Sequence, residues 1–129
     1  MKSKRFQMVK PLILLVAFFL IFQALPAWSQ DSPSSKGKPA LYEFGAGYCF
    51  SCKEMEKVMA ELKTSHSDQV EFRMVYVDKE KDLFTQYKIL MIPTQVFLDA
   101  SGKEVERHIG PLTKEEVLQK LRELKFIGK

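Results

Sequence analysis

The chain holds two cysteines, spaced as Cys49-Phe50-Ser51-Cys52, after an apolar strand-like run and before an amphipathic helical pattern. Two thiols at this spacing can pass between dithiol and disulfide, which is the chemistry of thiol–disulfide exchange. A thiol in the first turn of a helix also faces unpaired backbone N–H groups and the positive end of the helix dipole. Both favour the thiolate, the form that attacks a disulfide. Two other uses of the pair stay open on the residues alone. Zinc would need four ligands, and His66 and His108 complete no recognisable ligand spacing with the cysteines. A stabilising staple is the other use, although closing so short a loop constrains the unfolded chain by only ~2 kcal/mol.

Carboxyls and aromatic groups lie close by in sequence. Glu43 precedes Cys49 by six positions, among Leu41, Tyr42 and Phe44, which mark a central strand buried on both faces. An acid there needs a purpose or a partner. A desolvated carboxyl titrates nearer neutrality, which suits a proton acceptor for Cys52; the plainer reading is a strand residue turned to water. Glu56 falls on the helix after the cysteines, either paired with Lys53 or Lys57 or close enough to act on the thiols. Acids beside Cys49 would hold its thiol protonated and make the couple more reducing. Tyr48 and Phe50 flank the thiols and offer an apolar docking surface. Met55 and Met59 read as core.

The elements that must position these groups begin after an export signal. Lys2, Lys4, Arg5 and Lys10 precede an unbroken apolar run from Leu12 to Phe22, and Ala27-Trp28-Ser29 forms a cleavage-site pattern before Gln30. Residues 1–29 are therefore expected to be a signal peptide, placing the protein in the periplasm or outside the cell. The alternative is an uncleaved anchor over residues 11–28, the one expected contact with a membrane, with the domain outside the cytoplasm. Of 20 basic and 16 acidic residues, four basic and no acidic ones precede Gln30, which leaves 16 of each sign. A formally neutral mature chain gives no electrostatic reason to bind nucleic acid. Export also permits disulfides to persist, so an electron source becomes part of the question.

Residues 30–38 read as a flexible lead-in, and residues 39–129 as one small domain with one core. Pro39 to Phe44 predicts a strand, and apolar positions from Phe50 to Leu62 at helical spacing predict a helix ending near Thr64 to Ser67. A strand over Val70 to Val77, a short helix from Glu80 to Lys88 and a hairpin of Thr94 to Leu98 with Lys103 to Ile109 follow. Thr113-Lys114-Glu115-Glu116 has the capping-box form and opens a final helix with Val117, Leu118, Leu121, Leu124 and Phe126 on its apolar face. The order β-α-β-α-β-β-α implies an α/β domain with a mixed sheet, parallel where helices cross over and antiparallel at one edge.

With its CxxC at the first helix and Ile92-Pro93-Thr94 before a later strand, this order resembles the thioredoxin fold. The stretch KGKPALYEFGAGYCFSCKEMEK is similar to the C-terminal periplasmic domains of the DsbD thiol:disulfide reductases. The resemblance implies a protein-disulfide reductase without metal or organic cofactor. Cys49 would attack, Cys52 would resolve, and Glu43 and Glu56 would tune them. Cis Pro93, with Ile92 before it and Gly110 nearby, would border the groove for protein disulfide substrates, and a membrane thiol shuttle would supply electrons. Departures matter as well. Thioredoxin's Trp before the first cysteine is Tyr48, its Gly-Pro is Phe50-Ser51, its buried Lys falls at Met74 beside Arg73, and its opening strand and helix are reduced or absent. Rival readings are a DsbA-like oxidant, which would need a strongly stabilised Cys49 thiolate, and a noncatalytic module handling thiols or metal.

Overall fold

Six consecutive buried residues, Ala40–Gly45, form strand β1 at the centre of the sheet. The computed structural model describes residues 37–128. The expected export segment, nearly all of the lead-in, and the question of thioredoxin's opening strand and helix lie outside the described residues. After β1 come helix α1 (Phe50–His66), strand β2 (Glu71–Tyr76), helix α2 (Lys81–Gln86), strands β3 (Thr94–Leu98) and β4 (Glu104–Ile109), and helix α3 (Lys114–Glu123). The order is the one the periodicities predict. Among the described residues, no helix is long and apolar enough to cross a membrane.

The strands lie in the order β2-β1-β3-β4. β1 and β2 are parallel, joined by α1, while β3 runs antiparallel to both β1 and β4. Antiparallel pairing thus reaches the middle of the sheet and is not confined to one edge. The connection over residues 77–93, with α2 in its middle, returns the chain to the sheet at the end from which it left.

Alternation along β1 divides its side chains between two cores. Leu41 joins Met55, Met59 and Leu62 of α1, Phe97, and Val117 and Leu121 of α3. Tyr42 and Phe44 face the other way, onto Val75, Val96, Phe84 and Tyr87. Phe44 meets the Phe84 ring edge-on at 5.1 Å, an arrangement aromatic quadrupoles favour. A strand packed on both faces positions whatever it carries rigidly.

Helix ends explain two boundaries that sequence periodicity misses. Thr113 accepts from the Glu116 N–H at 3.2 Å and the Glu116 carboxylate accepts from the Thr113 N–H at 2.7 Å, so α3 starts at the predicted capping box. It stops at Glu123, before Leu124 and Phe126, because Lys125 takes a left-handed conformation with φ 59°. Lys125 N–H then donates to Arg122 and Phe126 N–H to Leu121, the two bonds of a Schellman cap. Phe126 and Ile127 turn back onto the core by this route. α2 ends in the same way at Lys88, φ 52°, with Lys88 N–H to Thr85 and Ile89 N–H to Phe84.

A left-handed lysine carries steric strain that glycine does not. Lys88→Gly and Lys125→Gly are each expected to raise stability by about 0.5–1 kcal/mol, read as a higher urea midpoint at unchanged slope. Thr113→Ala should lower it by about 1 kcal/mol.

Candidate active site

Cys49 caps the N-terminus of α1. Its backbone is extended (φ −89°, ψ 119°), and its Sγ accepts from the Cys52 N–H at 3.3 Å. A sulfur thus stands where Ser or Asp usually caps a helix, receiving one of the orphan N–H groups of the first turn. The Ser51 hydroxyl lies 3.5 Å from the same sulfur. No acidic residue occupies the first turn to oppose this field. Cys49 and Cys52 are joined in a disulfide, their Cα atoms 5.2 Å apart. Cys49 is half-buried, whereas Cys52 is 2% exposed.

Close packing against β1 seats the buried sulfur. A Cβ on Gly45 would stand 3.1 Å from Cys52 Cβ and 3.3 Å from its Sγ, so glycine leaves the room that the first turn of α1 occupies. Gly45 is not among the residues that the sequence pattern singles out; a glycine closing a buried strand is the signal that could have found it.

Glu43 sits two residues earlier on β1, on the same face, and is fully buried. Gln95 lies opposite it on β3 and donates Nε2–H to Glu43 Oε2 at 2.8 Å. Glu43 Oε1 and Gln95 Oε1 are buried with no hydrogen-bond partner among the described residues. Burial disfavours the carboxylate, only partly offset by the bond from Gln95, and pushes the Glu43 pKa up to about 8. The β2 residue facing Glu43 is Met74. Arg73 projects from the other face of the strand, over the Tyr42 ring at 5.3 Å and in an ion pair with Glu80. The partner of the buried acid is therefore an amide, a residue that sequence reasoning did not single out.

The row of residues ending the strands completes the site. Tyr76 pairs with Gly45, and the Gly110 N–H donates to the Pro93 carbonyl at 2.9 Å. Phe44 faces Thr94, and the next step along both strands brings Pro93 beside Gly45. The Ile92–Pro93 peptide is cis, and Pro93 is buried. Tyr48, Phe50, Leu90, Met91 and Ile109 are exposed apolar side chains from the segments that meet at this end. Leu90 and Met91 were not foreseen; they directly precede Ile92-Pro93.

Glu56 is exposed and one turn beyond Cys52. Seven residues separate it from Cys49, a rise of ~10 Å, so it is no neighbour of the attacking sulfur. It interacts with the Tyr76 hydroxyl, whose pKa is raised by partial burial first and by Glu56 second. Lys79 stands 4.9 Å from the Tyr76 ring. The histidines are elsewhere, His66 at the far end of α1 and His108 on the edge strand β4.

Residues 27–123 match the family described as Thioredoxin. Among individual proteins, a thioredoxin of Alicyclobacillus acidocaldarius is 32% identical over 67% of the chain and 82% of its own length. A thiol:disulfide interchange protein TxlA homologue of Synechocystis is 40% identical over 57% of the chain; the match spans 42% of that longer protein. The crystal structure of the thioredoxin Deadhead from Drosophila melanogaster superposes with a TM-score of 0.61 at 28% identity, covering 67% of the chain and 81% of Deadhead.

Gly45→Ala is expected to cost about 1–3 kcal/mol through overpacking against Cys52, measured by chemical denaturation of the disulfide form. Glu43 sets a pH dependence of known sign. The unfolded carboxyl loses its proton near the ordinary 4.5, while the folded one keeps it to about 8. The folded state therefore binds more protons across that window, and stability falls as pH rises from 4.5 to 8, by at most about 5 kcal/mol. Glu43→Gln should flatten this slope and be the more stable variant at pH 9.

Proposed function

The chain belongs to the thioredoxin family, and from that membership we propose that it is an exported thiol:disulfide oxidoreductase that reduces protein disulfides. The observation that carries the reading is the unequal pair. Cys49 is half-exposed at a helix N-terminus and tied to a buried Cys52, with the cis-proline segment beside it. An inert staple has no need of an accessible sulfur held by N–H and O–H donors.

The proposed cycle starts from the dithiol. The Cys49 thiolate attacks one sulfur of a client disulfide, forming a Cys49–client bond and expelling the client's other thiolate. Cys52 gives its proton to the Glu43 carboxylate and attacks Cys49 Sγ. The client leaves with two reduced thiols, and the Cys49–Cys52 disulfide remains. Two electrons have passed to the client, and an external dithiol must return them; a membrane thiol shuttle is the proposed donor. Tyr48, Phe50, Ile92, Pro93 and Gly110, with Leu90 and Met91, form the proposed docking rim. Glu56 acts at longer range, through Tyr76 and the first turns of α1. The cycle as written needs no metal or organic cofactor.

Export rests on the basic and apolar pattern of residues 2–29, which supports a periplasmic or secreted protein or one anchored through residues 11–28. The reducing direction rests on Glu43. Once ionised, it opposes further negative charge on the thiols and holds their protons on, which favours the dithiol giving up electrons. The oxidant reading has its own observation, since the Cys52 N–H and the Ser51 hydroxyl both stabilise a thiolate at Cys49.

Equilibration with glutathione buffers separates the two. A reduction potential near about −270 mV or lower is expected, and one near about −120 mV would overturn the reducing direction. In the exported fraction, Cys52→Ala should accumulate mixed disulfides through Cys49. Active protein that traps no client would favour the noncatalytic module.

A further inference from the structure

Glu43 and Gln95 face each other from directly opposed positions of β1 and β3, both fully buried. One hydrogen bond joins them, from Gln95 Nε2 to Glu43 Oε2. What remains on each side is an oxygen, Glu43 Oε1 and Gln95 Oε1, and neither has a partner among the described residues. Two lone-pair oxygens cannot satisfy each other, and burial denies both of them bulk water. A single proton answers both. Placed on Glu43 Oε1, it turns the carboxyl into a donor toward an amide whose carbonyl still has an acceptor site to offer.

We infer that Gln95 is a positioning residue for proton transfer at this site: it ties Glu43 Oε2, leaves Oε1 to take the proton, and accepts a hydrogen bond from the protonated Oε1. The inference rests on the reading of Glu43 as the proton acceptor of Cys52. In the step itself the Cys52 S–H bond breaks and an Oε1–H bond forms. Cys52 becomes a thiolate, Glu43 becomes neutral, and no electrons change hands. The proton is then held between Glu43 and Gln95 while the thiolate attacks.

The surroundings leave this task to the amide. On the same sheet face, β2 brings Met74 opposite Glu43, α1 brings Cys52 and Met55, and α3 brings Val117 and Leu121. Cys52 is the titratable group among these. Tyr76, with Glu56 and Lys79, lies at the strand end beyond. Arg73, the nearest cation in sequence on β2, is engaged on the opposite face by Tyr42 and Glu80. An amide can serve both protonation states of its partner because it carries donor and acceptor together, which lysine or an apolar residue cannot do.

The test follows the Glu43 and Gln95 side chains by carbon and nitrogen NMR in the full chain, disulfide form, from pH 5 to 10. The Gln95 carbonyl carbon and side-chain amide are expected to titrate with the same midpoint as the Glu43 carboxyl carbon, near pH 8. A Gln95 amide that stays fixed through the Glu43 titration overturns the inference. Gln95→Leu should shift the Glu43 midpoint, because it removes one bond donated to the carboxylate and both bonds of the neutral acid, which do not cancel. Gln95→Leu should also move the pH midpoint of Cys52-dependent release of a mixed disulfide by the same amount. An unmoved kinetic midpoint despite a shifted carboxyl would leave Gln95 tuning a group that plays no part in transfer, and so overturns the proposal. Glu43→Gln separates the two layers. If it leaves the release profile unchanged, the proton-acceptor reading fails, whatever the NMR coupling between Glu43 and Gln95.

Discussion

The contact on which the site depends is the approach of α1 to the end of β1, where the absent side chain of Gly45 admits Cys52. That approach fixes how deep the second sulfur sits. It also brings the first turn of α1 over the strand that carries Glu43, and it aligns the Cys49 cap with the row made by Tyr76, Gly45, Pro93 and Gly110. Moving the helix outward by the few tenths of an ångström that a methyl group demands would shift all of these together. Packed interiors transmit such displacements because they contain little free volume.

β1 therefore carries two conflicting demands. Its apolar residues must hold the sheet between two cores, and its one acid must sit in that same environment with no cation beside it among the described residues. Desolvation dominates the single hydrogen bond from Gln95, which is why the carboxyl titrates near neutrality and not in the acidic range. The fold tolerates the cost because the remaining residues of β1 are apolar and closely packed. Local instability at a functional group is here offset by the strand that carries it.

Much of this was legible in the sequence. The periodicities of residues 50–62, the β-branched runs and the Thr113 box give the elements in their order because each is a local signal tied to burial. The cysteine pair and the buried setting of Glu43 could be read from neighbouring residues, whereas the Pro93 segment was legible only through its resemblance to the thioredoxin fold. Gln95 could not. A glutamine in a strand is polar by type, and only register across two strands reveals that it faces an acid. The lysine caps at positions 88 and 125 were also hidden, since left-handed termini are usually announced by glycine. Glu56, which its motif associates with the thiols, lies one helical turn past Cys52 and toward Tyr76.

The exposed apolar rim has a kinetic consequence. Tyr48, Phe50, Leu90, Met91 and Ile109 are exposed at the surface. A shallow apolar contact dissociates quickly, since residence time depends on buried, well-packed anchors. On the proposed cycle, the covalent bond to Cys49 rather than the rim would hold a client through the reaction. Once Cys52 breaks that bond, little remains to retain the product. On that proposed cycle, such a surface would suit turnover across many partners better than tight selection of one.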